Sequence, residues 1–151
     1  MQHTDVRLTA PKGRYVILDK LGEGGMGEVF RAYDRLTDRK VALKRLWAKD
    51  PQGVVAFAQE FRVLSGLRHP FIVDVIDYGL DESGQPFFTM QLLENGCPLL
   101  EFARTVSRAQ QIMLLLQIFQ ALVYLHRLGI IHRDIKPANI LVVDGKIKLL
   151  D

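Results

Sequence analysis

The stretch Ile131-His132-Arg133-Asp134-Ile135-Lys136-Pro137-Ala138-Asn139 decides the reading of this chain. It packs a candidate base, two cations and an amide into a short run, then enters a segment that ends in Asp151. Transfer of a phosphoryl group is mainly a matter of positioning and charge stabilisation. It calls for a carboxylate to orient the accepting hydroxyl, a cation for the terminal phosphate and hard oxygen ligands for Mg2+. Asp134, Lys136, and the pair Asn139 and Asp151 are those residue types, and their chance co-occurrence in this order is small.

Upstream of that stretch, two weaker signals point the same way. Lys44 stands alone inside the apolar strand Val41-Ala42-Leu43-Lys44. A buried ammonium is costly without anionic partners, and Glu60 on the following helix could supply one. The competing reading leaves Lys44 on an exposed strand face and Glu60 in solvent. Further upstream, Gly22-Glu23-Gly24-Gly25-Met26-Gly27 precedes Val29. Glycines let a backbone approach phosphates and aim its N–H groups at them. A dinucleotide-binding turn would need a helix opening at these glycines, whereas residues 28–33 are β-like. An ordinary glycine-rich hairpin fits the residues equally well.

The organisation around these signals is that of an α+β chain. Residues 1–13 read as a polar lead-in. Strand-like sequence runs over 15–46, broken at the glycines and at the polar turn 34–39. Val54, Phe57, Phe61, Leu64 and Leu67 share one helix face. Strands are predicted over 71–78 and 86–93, with a turn at 80–85 between them, so that five antiparallel strands and one helix fill residues 14–93. Residues 94–98 break the pattern as a hinge. Ser107 and Gln110 form a capping-box signature for a helix to about residue 128, with Gly129 as its C-cap. Asp144-Gly145 between two apolar runs predicts a hairpin.

Bulk properties exclude more than they assign. The chain has 151 residues, 48% of them hydrophobic, and a net charge of +3. No run of like charges supports a nucleic-acid or membrane role. The most apolar segment, 112–125, contains Gln117 and Gln120 and is read as a buried helix rather than a membrane span. One cysteine, Cys97, rules out an internal disulfide and suits a reducing cytoplasm.

With the glycine turn, the strand lysine, the helix glutamate, the catalytic stretch and Asp151 in one order, the sequence resembles the eukaryotic-type protein kinase family from Tyr15 to Asp151. Lys136 two residues after Asp134 is similar to the serine/threonine branch, and the wording of the glycine turn to bacterial members. The resemblance implies a kinase small lobe over 14–93 and part of a large lobe over 94–151, with ATP and Mg2+ as cofactors and a Ser/Thr protein as substrate. It implies that Gly22, Gly24 and Gly27 cover the phosphates and that Lys44, paired with Glu60, binds the α/β-phosphates. Leu21, Val29, Ala42 and Leu141 would enclose the adenine, which the same residues as plain core would also satisfy. Met90 would be the gatekeeper, and Gln91 to Leu93 the hinge whose backbone meets the adenine edge. Asp134 would be the catalytic base, Lys136 the γ-phosphate cation, and Asn139 and Asp151 the metal ligands. Cys97 would lie at the lip of the ribose site.

The family continues beyond its metal-binding aspartate, whereas this chain stops there. The expectation is therefore of a piece that is inactive alone, with an exposed apolar face on the 107–128 helix. The alternatives are a non-catalytic nucleotide- or partner-binding module and a small-molecule phosphotransferase. His132-Arg133-Asp134 with Lys136-Pro137 argues for a protein substrate.

Overall fold

The computed structural model describes residues 13–24, 27–47 and 50–150. They form two compact units, one running to Gly66 and resuming over Asp74–Leu92, the other joining Leu67–Val73 to the chain from Leu93 onward. The segment Leu67–Val73 therefore packs with the second unit, although a boundary drawn on sequence at residue 93 groups it with the first.

The first unit is an antiparallel sheet of five strands, β1 (Tyr15–Gly24), β2 (Gly27–Asp34), β3 (Arg39–Leu46), β4 (Val75–Leu80) and β5 (Pro86–Gln91), in the order β1-β2-β3-β5-β4. Helix α1 (Pro51–Ser65) crosses it. Alternation sorts the strand residues between two faces. Tyr15, Phe30, Ala32, Val41, Leu43 and Phe87 build a buried apolar cluster on one face. Val29, Ala42, Lys44, Phe88 and Met90 pair in register on the other. Helix α1 packs on this second face, where Phe57 stacks on Phe88 at 5.0 Å between ring centroids and Phe61 lies against Tyr78 at 5.4 Å.

Two boundaries differ from the sequence expectation. Helix α1 opens at Pro51, before its apolar periodicity begins, because the Asp50 carboxylate accepts the Gly53 N–H and proline suits the first helical position. The strand expected from Phe71 begins only at Val75. Phe71–Val73 bonds instead to Leu149, whose N–H donates to Phe71 O and whose carbonyl accepts the Val73 N–H, both at 2.9 Å. A β-branched run signals an extended backbone without naming its partner strand.

The second unit holds a three-stranded sheet, β6 (Cys97–Pro98), β7 (Ile140–Val143) and β8 (Lys146–Leu149). It also holds the short helix α2 (Leu99–Ala103) and the long helix α3 (Arg108–Arg127). Neither β6 nor α2 is long enough to leave a periodicity in the sequence. The β7–β8 turn puts Asp144 at φ 50° and Gly145 at φ 75°, the left-handed pair that a two-residue hairpin requires. Ser107 and Gln110 close their capping box reciprocally at the start of α3, and Gly129 follows its end at φ 74°.

The buried helix expected over 112–125 is buried along one stripe only, Leu114, Ala121 and Leu125. Ile112, Met113, Leu115, Leu116, Phe119 and Val123 are exposed, because the described residues offer α3 a packing partner on one side alone. By length and composition α3 is apolar enough to cross a membrane. Gln117 breaks the apolar run for a local reason, since its Oε1 accepts the Ile147 N–H at 2.8 Å and fastens α3 to β8.

Candidate functional site

In the first unit, strand pairing continues to the edge of the glycine turn, where Gly24 faces Gly27. Gly25 and Met26 at its tip lie outside the described residues. A strand, not a helix, follows the glycines, so the dinucleotide-binding alternative fails. The three glycines answer different needs. A Cβ on Gly22 or Gly24 would meet open space, whereas one on Gly27 would sit 2.1 Å from the Arg45 carbonyl of β3. Gly27 is thus required by the close approach of two strands, apart from anything a ligand asks of it. Register shifts on the β1 side between Lys20 and Gly22, leaving Leu21 exposed at an irregularity beside the turn.

Lys44 is 18% exposed, and its Nζ lies 3.6 Å from Glu60 Oε1 and 5.5 Å from the centre of the Phe88 ring. The carboxylate and the ring face together supply what a half-buried ammonium needs. Phe88 was not singled out from the sequence. Its signal is the register, since it stands directly opposite Lys44 on β5. Ala42 and Met90 are buried and paired to each other, and Val29 pairs with Lys44, so these side chains line the face that bears the lysine. The Gln91 N–H already donates to Asp74 O at 2.8 Å, so a contact from the Gln91 backbone to a purine edge falls to its carbonyl.

In the second unit, the catalytic stretch folds as an open loop closed by a single 3-10 turn, Pro137–Asn139. Lys136 Nζ lies 2.8 Å from Asp134 Oδ2, and Asn139 Nδ2 donates to both the backbone carbonyl and Oδ2 of Asp134 at 3.1 Å. The Asp134 N–H donates to His132 Nδ1 at 3.3 Å. The Lys136 ammonium holds the Asp134 carboxyl below the usual carboxylate range; desolvation opposes it by less, and the Asn139 amide adds to the lowering. Asp134 is therefore ionised at neutral pH and accepts hydrogen bonds. Arg133 between them has φ 64°, a left-handed conformation that costs a non-glycine residue ~1 kcal/mol and is tolerated where a loop has to aim its side chains.

Of the two expected Mg2+ ligands, Asn139 lies among the described residues and its chemistry fits. The Asn139 amide nitrogen is committed to Asp134, which leaves its Oδ1 as the hard oxygen donor of that side chain. The Leu150 N–H donates to Asn139 O at 2.9 Å, so the end of the hairpin is fastened beside this residue. Asp151 itself lies outside the described residues. Among the described residues no group of three His, Cys, Asp or Glu side chains could hold a metal.

Leu93 and Leu141 are half-buried in the second unit. Gly96 packs its α-carbon against Leu141, and a Cβ there would lie 3.0 Å from the leucine Cδ1. Cys97 sits on β6 with its thiol 3.6 Å from the Pro98 carbonyl. The anchor of Leu67–Val73 was also missed by sequence reading. Tyr124 of α3 accepts the Arg68 N–H at 2.9 Å, and the His69 ring lies 4.9 Å from the Tyr124 ring. Burial, with a smaller contribution from the Lys148 charge, pushes the His69 pKa down, which keeps its Nδ1 available to accept the Phe71 N–H.

Residues 15–151 match the family model described as the protein kinase domain. The chain is 38% identical over 154 residues to the DNA damage-responsive serine/threonine-protein kinase RqkA of Deinococcus radiodurans, a match covering 92% of this chain and 22% of that protein. It is 36% identical over 149 residues to the serine/threonine-protein kinase PknA of Mycobacterium tuberculosis, covering 92% and 35% respectively. The solved structure of PpkA-294 in its apo form superposes with a TM-score of 0.80 at 26% identity, covering 94% of this chain and 59% of that one. The chain thus spans between a fifth and about a third of the length of these curated relatives.

Proposed function

The chain belongs to the protein kinase domain family, and from that premise we propose that the protein of which it forms part moves the γ-phosphoryl group of ATP onto Ser or Thr hydroxyls of proteins. The observation that carries this reading is the cluster in which Lys136 and Asn139 both converge on the carboxylate of Asp134. In the reaction the hydroxyl oxygen forms a bond to the γ-phosphorus, the bond to the β-phosphate oxygen breaks, and the hydroxyl proton leaves toward Asp134. A carboxylate held below its usual pKa is a weak base, so its main part is to orient the hydroxyl while the transition state forms.

Kinases of this family use ATP and Mg2+. In the first unit, Lys44 would hold the α/β-phosphates while Glu60 keeps its ammonium in place. Gly22, Gly24 and Gly27 would cover the phosphates, and Leu21, Val29, Ala42 and Met90 would enclose the purine, with Gln91 contributing its backbone. In the second unit, Leu93 and Leu141 are the residues assigned to the purine, Lys136 would steady the γ-phosphate, and Asn139 with Asp151 would hold the metal. When bound, Mg2+ neutralises the phosphate oxygens. The lone thiol Cys97 suits a cytoplasmic kinase domain.

The test is transfer of label from γ-labelled ATP by the full-length protein to a Ser/Thr-containing protein substrate. Phosphoserine or phosphothreonine should form, and Lys44→Met should reduce the rate at least about 100-fold by removing the charge that holds the α/β-phosphates of the leaving group in place. Labelling of a small-molecule hydroxyl in preference to protein would overturn the substrate class. ATP binding without transfer to either would leave a non-catalytic nucleotide-binding module.

A further inference from the structure

The face of the first sheet opposite Lys44 carries a line of charge that the reading above does not use. Lys20 on β1 and Glu28 on β2 pair at 3.0 Å, and Glu28 and Arg45 on β3 pair at 2.7 Å. Arg45 then reaches the carboxylate of Asp81, in the turn between β4 and β5, at 3.5 Å. The line sinks inward as it crosses the sheet. The Lys20 side chain is 40% exposed, Glu28 14%, Arg45 19% and Asp81 2%. Three of its members make further contacts outside the line. Lys20 also pairs with Glu23 inside the glycine turn. The Arg45 guanidinium lies 5.4 Å over the Phe30 ring. Asp81 Oδ1 accepts from the Ser83 N–H, the Ser83 hydroxyl and the Gln85 N–H at 2.7–2.9 Å, which fixes the turn.

The placement of this line matters more than its energy. Lys20 lies just before Gly22 and Glu28 just after Gly27, so the Lys20–Glu28 pair ties together the two ends of the glycine turn. Arg45 adjoins Lys44 on β3 and projects to the opposite face, and its own carbonyl is the atom against which Gly27 is pressed. The turn and the strand that carries Lys44 are thereby held to one another from behind. At the line's solvent-facing end, where the Lys20 side chain is 40% exposed, such a pair contributes little to stability. Ends that are already anchored, however, leave less conformational freedom to lose when a ligand binds. Asp19 and Arg31 provide a contrast on the same two strands, because they pair at 3.5 Å with side chains 50% and 37% exposed.

We propose that Glu28 is a positioning residue for ATP, the hub of a Lys20–Glu28–Arg45–Asp81 line that fixes the glycine turn relative to the Lys44 strand. This deepens the kinase reading and rests on it. Contacts from the turn to the phosphates are made to ground and transition state alike, so loosening the turn raises KM for ATP and spares kcat.

The experiment measures KM for ATP, kcat and the thermal unfolding midpoint of the full-length wild type, Glu28→Gln and Asp19→Asn. Glu28→Gln should raise KM for ATP at least fivefold with kcat within twofold and the midpoint within a few degrees. Asp19→Asn should leave all three unchanged. A KM within twofold of wild type for Glu28→Gln would overturn the proposal. So would a fall in kcat that tracks a fall in midpoint, since that is the mark of a merely structural residue. Should Glu28→Gln not fold, Lys20→Met removes only the exposed end of the line, and an unchanged KM there overturns the proposal equally. Absence of ATP turnover by the wild type would instead sink the kinase reading on which the inference stands.

Discussion

Two aspartates among the described residues have their pKa depressed by a basic side chain, and to opposite ends. In the first unit the Asp34 carboxylate, 1% exposed, receives a bidentate bond from Arg14 with both contacts at 2.8 Å. It also accepts the Leu36 N–H and the Thr37 hydroxyl, each at 2.9 Å, while Arg14 goes on to Asp77. Asp134 in the second unit is 61% exposed, and its partner Lys136 is 52% exposed. In the first cluster the Asp34 carboxylate is sealed behind its four donors, with Arg14 and Asp77 at the rim, so its work is to fix where β1, β2 and β4 meet. The second is open on the side away from its partners, and an accepting hydroxyl can approach it. Charge that is sealed serves the fold, and charge that is left accessible can serve a reaction.

The largest expected effect tests the open cluster. Asp134→Asn keeps the shape of the side chain but removes the charge that orients the hydroxyl, so kcat of the full-length protein should fall by about 1000-fold or more. The unfolding midpoint should move by no more than about 2 °C, because an exposed charge pair holds little of the fold. A midpoint that fell steeply would show Asp134 to be a structural residue of the same kind as Asp34, and the contrast would be lost.

The next effect tests the sealed cluster. The Arg14 hydrogen bonds, aided by Leu36 and Thr37, lower the Asp34 pKa to about 2 against the burial that opposes them. Asp34→Ala leaves Arg14, the Leu36 N–H and the Thr37 hydroxyl without this acceptor, which should cost about 3 kcal/mol of stability. Catalysis measured well below the new midpoint should be unaltered. Because the folded pKa lies under the unfolded one, the stabilisation is fully present above the ordinary Asp value of 3.8 and drains away as pH falls toward 2. Wild type and Asp34→Ala should therefore converge in stability on acidification. Curves that stayed parallel down to the acid limit would mean that the charge contributes nothing.

The two clusters also differ in how they could be read from the sequence. His132 to Asn139 announces itself because phosphoryl transfer requires particular residue types within reach of one another on a short loop. Lys44 was legible for a related reason, as a charge in an apolar strand that demands a partner, and Glu60 is the partner found. The sheet and the long helices followed from alternation, periodicity, the capping box at Ser107 and the turn at Asp144-Gly145. Asp34 was read only as the edge of a polar turn, since its role depends on Arg14 and Asp77 across three strands and no local pattern encodes that pairing. The Glu28–Arg45–Asp81 line was hidden likewise, and becomes visible only once strand register places Glu28 opposite Arg45. The late start of β4 has the same origin, because Phe71–Val73 chose Leu149 as its partner over a strand nearer in sequence.

The finest test separates the causes of the two depressed pKa values. Lys136 meets Asp134 in a direct contact that stands open to solvent and added ions, whereas Arg14 meets Asp34 at a carboxylate only 1% exposed. Carboxyl carbon resonances followed from pH 5 to 3 should therefore respond differently to 0.5 M salt, a concentration chosen for this test at which screening acts within roughly 4–5 Å. The Asp134 resonance should begin to titrate at higher pH in salt than without it, and the Asp34 resonance should stay flat in both. An Asp34 resonance that moved with salt would show that its cluster is reached by solvent ions. The two aspartates would then differ in degree of exposure alone, and the division between sealed and accessible charge would have to be drawn elsewhere in the chain.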